Sequence, residues 1–182
     1  MVDTSTSAGK EAVRLLKRVR QIRDYRPDHV TDDLVTDILD VARWTGSASN
    51  RQPWRFVVIR EPAALKQIAE LGSPSTNHVG KAPLAIAVVM PGEAEVRDAY
   101  DEGRASERIL IAAEMLGLGA AIAWVKAAIR PQVGELLGLE EPQFVRTVVA
   151  IGYPADAARR PKAAPGTARK PLAELASDER LS

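Results

Sequence analysis

Four short apolar runs constrain this chain more than any other feature: WRFVVIR at 54–60, LAIAVVM at 84–90, AIAWV at 121–125 and FVRTVVAI at 144–151. Each is rich in β-branched or small apolar residues and bounded by Pro, Gly or polar residues, the pattern of a buried strand. The stretches between them carry helical spacing. Leu34, Val35, Ile38, Leu39 and Ala42 form one apolar face behind Thr31, a good N-cap, with Asp32 and Asp33 in the first turn. That helix is expected to run into Trp44 and end near Gly46. Further helices are expected at 63–71, stopped by Gly72, at 98–117 with Ile109, Ala112, Ala113 and Leu116 inward, and from Pro131 to Gly138. Strands alternating with helices, without an internal repeat, give an α/β or α+β sandwich around one central sheet.

A chain of 182 residues fits one domain. Residues 1–9, small and polar, read as a flexible N-terminus. Residues 10–182 read as the single domain, and everything after Gly152 reads as a tail rich in Pro, Ala and basic residues. The absence of Cys excludes disulfides, thiolate nucleophiles and sulfur-ligated metals, and two histidines, His29 and His78, do not make a multi-histidine metal centre. A net charge of +1 falls short of the excess expected of a nucleic-acid binder. No apolar run approaches the ~18 residues of a membrane span, and the start lacks an apolar signal core. A soluble, cytoplasmic protein is expected.

The sequence contains no G-x-S-x-G elbow, no H-E-x-x-H and no phosphate-binding G-x-x-x-x-G-K-[ST] loop. Demanding chemistry would therefore come from a bound cofactor. Two regions invite one. Residues 10–26 carry seven Lys/Arg against Glu11 and Asp24, with Val13, Leu16, Val19 and Ile22 at helical spacing; a short amphipathic helix with Arg18, Arg20 and Arg23 at its exit is expected. Guanidinium forks suit a phosphate or an electron-rich ring edge, and a solvated basic face is the plain alternative. The second region is Ser47, Ala48, Ser49, Asn50, Arg51 and Gln52, followed by Pro53 and Trp54. A loop stiffened in this way presents amides and hydroxyls to a heterocycle, or is simply a connection with a structural Trp.

Here the sequence resembles a known family. GSASNRQPWRFVVI at 46–59 is similar to the P-S-x-x-N-x-Q-P-W-x-F segment of the FMN-dependent nitroreductases. RQIRDY at 20–25 resembles their R-S-x-R-x-[FY] element, and KAPLAIAV at 81–88 their A-P strand. DEGRASERILIAAEMLGLG at 101–119 resembles their D-x-G-x-A-x-x-N-x-x-L-A-A-x-x-L-G-L-G helix, while IGYP at 151–154 and RKPL at 169–172 resemble the closing strand and tail. The motifs fall in order over about residues 13–176.

The resemblance implies an α+β fold with a central, mostly antiparallel sheet flanked by helices, an entwined homodimer, and FMN at the subunit interface. It implies a cofactor site of Arg18, Arg20, Gln21 and Arg23, with Ser47, Ala48, Ser49, Asn50 and Gln52 supplied by the partner subunit. Ala123, Trp124 and Val125 would follow the ring edge, Arg169 and Lys170 would clamp the phosphate, and 153–182 would wrap the partner. Arg23 would be electrostatic support, with no catalytic group of the protein's own and the reaction carried at flavin N5. The implied activity is ping-pong hydride transfer from NAD(P)H to a small electron-poor acceptor, a nitroaromatic or quinone. The alternative is a protein of this fold that holds flavin or deazaflavin without turnover; a basic surface protein binding nucleic acid through residues 10–26 is a third reading. His78 reads as a cofactor or substrate contact or as a surface histidine, Trp124 as core or as a stacking platform, Trp54 as core and His29 as surface. Val19 departs from a common phosphate-binding Arg, Gly46 from Pro and Arg108 from Asn, and the stretch between Met90 and Asp101 is too short for a helical flap over the flavin.

Overall fold

The computed structural model describes residues 4–159 and 169–180. Its elements in chain order are α1 (Thr4–Leu16), α2 (Asp32–Arg43), β1 (Arg55–Ile59), α3 (Pro62–Leu71), β2 (Leu84–Met90), α4 (Glu95–Met115), β3 (Gly119–Trp124), α5 (Arg130–Leu136) and β4 (Phe144–Gly152). The four strands form one sheet in the order β1-β2-β4-β3, every neighbouring pair antiparallel. This is the α+β arrangement; a βαβ crossover would have made parallel pairs.

The sheet is covered on both faces, which explains the continuous apolar runs in its two central strands. All seven residues of β2 are buried. One core lies between the sheet and α2 with α4, around Ile38, Trp54, Ile86, Ile109 and Ile151. The other lies between the opposite face and α3 with α5, around Ile59, Ile68, Val79, Val133 and Val148. Trp54 joins the first core at 8% exposure, as expected. His29 is exposed, also as expected.

Several boundaries differ from the sequence reading. The first helix starts at Thr4, because Ala8, Lys10, Glu11 and Ala12 favour helix and Gly9 within it costs only about 1 kcal/mol. It ends at Leu16, although the apolar spacing continues through Val19 and Ile22. Those two residues leave the helix for the sheet: Val19 packs against the first core and Ile22 is buried. Val13 and Leu16 stay exposed. Thr31 stands at the N-cap of α2 in extended conformation, but its hydroxyl makes no cap bond, so the favourable charge of Asp32 and Asp33 is what remains there. Helix α4 begins at Glu95, directly after the turn that leaves β2, and no helix intervenes between them. Within the tail, Leu172–Glu174 forms a single 3-10 turn with Leu172 and Leu175 exposed. The part of the expected tail at 160–168 lies outside the described residues.

Candidate functional site

The chain from 19 to 26 is extended and lies along the free edge of β3. Gln21 bridges Ala120 in parallel, the Ile22 amide donates to the Ala120 carbonyl at 2.9 Å, and the Ile122 amide donates to Gln21 Oε1 at 2.7 Å. The segment then crosses to the start of the tail, where the Arg26 amide donates to the Tyr153 carbonyl at 2.8 Å. Tyr25 is pinned beneath it, its hydroxyl donating to the Ala150 carbonyl at 3.1 Å, and burial drives its pKa upward, so it stays a neutral donor. Two glycines make the close approach possible. A Cβ on Gly119 would lie 2.7 Å from Ile22 Cγ2, and one on Gly152 would lie 3.1 Å from Tyr25 Cδ1.

This edge presents Arg20 and Arg23, both exposed, with Gln21 between them. Beside Arg23 lies His78, which is 5% exposed and whose Nε2 has no hydrogen-bond partner. His78 is thus not a surface histidine. It sits at the start of a short 3-10 turn (Val79–Lys81) that Val79 and Ala82 anchor in the second core. Burial and then the Arg23 guanidinium hold its pKa below 6.5, against the pull of the Ala121 and Ile122 backbone. Lys81 turns outward to Asp24 at 3.3 Å. The segment covers the β3 edge only as far as Ile122. Because the Ile122 amide faces that edge and the Val125 amide faces β4, strand alternation turns the Trp124 N–H outward at the open end of the edge. Ala123 and Val125 are buried. Trp124, read as core or as a stacking platform, is 50% exposed at the end of an edge strand and so is not core.

Arg18, with Lys17, Arg20 and Glu114, lines a cavity of about 490 Å³ beside this segment, and it approaches Glu114 at 3.9 Å. Arg169 and Lys170 are exposed where the described tail resumes.

The polar loop stands at the opposite edge of the sheet, leading into β1. Ser49, Asn50 and Gln52 have φ of 52°, 53° and 48°, a left-handed conformation that costs a non-glycine residue on the order of 1 kcal/mol or more. Local bonds hold the strain. The Gln52 amide donates to Ser47 Oγ at 2.8 Å, the Asn50 amide donates to the Ser47 carbonyl at 3.0 Å, and Arg51 reaches Glu93 at 2.9 Å. Ser47 is therefore engaged as an acceptor within its own loop, with its hydroxyl proton left to donate outward. Ala48, Ser49, Asn50 and Gln52 are exposed. Gly46, in place of a proline, admits Arg104: a Cβ there would lie 2.7 Å from Arg104 Nη2. A cavity of about 750 Å³ separates Ser47 and Ala48 from Val96, Tyr100 and Arg104 of α4.

A buried charged cluster went unnoticed in the sequence. Asp98, Asp101 and Glu102 of α4 and Arg146 of β4 are all at most 6% exposed. Burial raises the Glu102 pKa above its usual 4.5, opposed by Thr147 and Arg146. The signal was available: these acids recur at three- and four-residue spacing in register with Ala105, Ser106 and Ile109, on the buried face of the helix. Among the described residues no group of His, Asp or Glu is arranged to hold a metal ion, and no helix is long and apolar enough to cross a membrane.

The fold and its two polar edges define the class: an α+β domain whose sheet carries a cationic segment on one edge and a strained polar loop on the other. The chain belongs to the nitroreductase family, whose model matches residues 16–153. A protein of Archaeoglobus fulgidus with the provisional name NADH dehydrogenase/NAD(P)H nitroreductase is 33% identical over 161 residues, covering 81% of this chain and 87% of that one. A Thermus thermophilus protein named NADH dehydrogenase is 33% identical over 153 residues, covering 76% and 71%. The solved NADPH:FMN oxidoreductase from Vibrio harveyi superposes with a TM-score of 0.80 over 94% of this chain and 78% of its own; at 20% identity it speaks for the fold alone.

Proposed function

We propose that this protein is an FMN-dependent NAD(P)H oxidoreductase that works as a homodimer. One observation carries the reading: the two groups of site residues occupy opposite edges of one sheet. Arg20, Gln21 and Arg23 lie on β3, whereas Ser47 to Gln52 lead into β1, with β2 and β4 between them. Three strand spacings, roughly 14 Å, and a sheet covered on both faces separate them. A second copy bringing its loop to the β3 edge of the first would join the two halves, twice over by symmetry. The motifs quoted above and the relatives' names point to the same chemistry.

The residues fit the cofactor. Exposed cations, an outward-facing backbone N–H and a buried imidazole nitrogen without a partner stand together along the β3 edge, and such groups suit an anionic, hydrogen-bonding heterocycle. FMN, when bound, supplies hydride transfer between a nicotinamide and an electron-poor acceptor in two half-reactions that share one face. Arg23 would hold a fixed positive charge beside the bound ring, which would favour its anionic reduced form. Gln21 locks the segment that carries Arg23 to the Ile122 amide. His78, neutral at pH 7, supports the strand edge from beneath without adding a second charge. Arg20, with Arg169 and Lys170 of the tail, supplies the phosphate contacts that Val19 does not.

The test is a visible spectrum of the protein after FMN is added and removed by desalting, followed by anaerobic addition of NADH or NADPH. The expected result is a retained oxidised-flavin spectrum that bleaches with a nicotinamide and recovers with a quinone. Retained flavin that no nicotinamide bleaches would leave a binding protein in place of an enzyme.

A further inference from the structure

We infer that Trp124 selects flat, electron-poor aromatic acceptors for this enzyme, and that Arg146 is the positioning residue that holds its indole in place; the inference rests on the function proposed above. Trp124 is half exposed at the open end of β3, yet its inner face is not free. The Arg146 guanidinium lies over it, 5.9 Å from the ring centroid, and also covers Phe144 at 5.2 Å. Arg146 owes this position to a bulge in β4. Val88 pairs with Thr147 and Val89 with Val145, so Arg146 is skipped by the β2 ladder and re-aimed. Its carbonyl accepts from the Val125 amide at 2.8 Å, tying the bulge to the residue after Trp124.

Arg146 is 6% exposed, and such burial is costly for a cation. Its nearest carboxylates are Glu102 at 3.8 Å and Glu95 at 3.9 Å, both beyond hydrogen-bond reach. Arg146 Nη2 and both Glu102 carboxyl oxygens lack hydrogen-bond partners. A pair this loose leaves the guanidinium seated mainly against the two rings. Its geometric consequence is a planar cation fixed behind an indole whose other face is open. An indole face is electron-rich and stacks best on a flat, electron-poor ring. This chain has no helix between β2 and α4 to shape the acceptor space, which leaves Trp124 as the rigid wall beside the outward Trp124 N–H.

The test uses the FMN-loaded protein with whichever nicotinamide bleaches it, and compares a naphthoquinone with ferricyanide, an acceptor that needs no stacking. In Trp124→Leu, which keeps an apolar side chain, the KM for the naphthoquinone should rise roughly five- to tenfold, the scale of an aromatic contact. Read per bound flavin, ferricyanide turnover should fall by less than the naphthoquinone kcat/KM, and Trp124→Phe should recover most of the difference. Arg146→Lys, which removes the planar face but not the charge, should raise the naphthoquinone KM in the same selective way. An unchanged naphthoquinone KM in Trp124→Leu, or an equal loss with both acceptors, would overturn the inference while leaving the proposed function standing. A wild-type protein that keeps no flavin, or whose flavin no nicotinamide bleaches, overturns both.

Discussion

His78 and Glu102 are both buried, and burial moves their pKa values in opposite directions. His78 lies below its usual 6.5, so an unfolded chain binds a proton at mildly acidic pH that the folded chain refuses. Its contribution to stability is complete above pH 6.5 and falls as pH drops towards its folded pKa. Glu102 lies above its usual 4.5, so the folded chain holds a proton that the unfolded chain has released. Its contribution is complete below pH 4.5 and declines as pH rises through its folded pKa. Thermal melts across pH 4–8 should separate the two. Replacing His78 by Gln should flatten the acid side of the profile below pH 6.5, and Glu102→Gln should remove a decline that begins above pH 4.5. Each effect should amount to about 1.4 kcal/mol for every tenfold difference in proton affinity between the folded and unfolded chain. Parallel profiles for wild type and variants would show that neither group feels its burial. Arg23 acts at the same scale: truncation to Ala should weaken FMN retention roughly ten- to a hundredfold, the range of a charge-assisted contact, measured as flavin absorbance left after desalting.

At the scale of elements, the segment along β3 is the piece on which the β3 half of the site depends, and glycine sets how closely it lies. Gly119→Ala places a methyl group 2.7 Å from Ile22 Cγ2, within a strand and a segment that are each hydrogen-bonded in place. A loss of about 1–3 kcal/mol is expected, with weaker flavin retention because Arg23 shifts with Ile22. The same substitution at Gly103, which has open space around it, should leave flavin retention unchanged. The four strands and α2 to α5 were legible in the sequence because apolar runs and spacing report burial directly. The end of α1 was not: Val19 and Ile22 keep helical spacing but serve a strand edge, and tertiary pairing overrides local periodicity there. The choice between core and platform for Trp124 was not legible for a related reason, since a strand residue's exposure depends on whether its strand lies at an edge, and strand order is not written in spacing. His78 was hidden because its loop folds back onto the sheet through Val79 and Ala82, two apolar residues in an otherwise polar stretch. The family motifs pointed to both groups of candidate site residues, but not to their places on opposite edges of the sheet.

At the scale of the whole molecule, the proposed site, with half on each outer strand, calls for two chains. The exposed apolar residues Val96 and Tyr100 on α4, and Leu172 and Leu175 on the tail, are surfaces such a pairing can cover. The most direct measurement is complementation between two defective chains. Arg23→Ala keeps the loop intact, and Asn50→Gly removes a loop side chain without straining a backbone already at φ 53°. Each variant alone should lose flavin on desalting. A heterodimer of the two, purified through separate tags, should regain one intact site and one doubly defective site, and so hold about one flavin per dimer. A heterodimer that holds no flavin, or an Arg23→Ala or Asn50→Gly homodimer that holds it fully, would contradict a site built from the two edges.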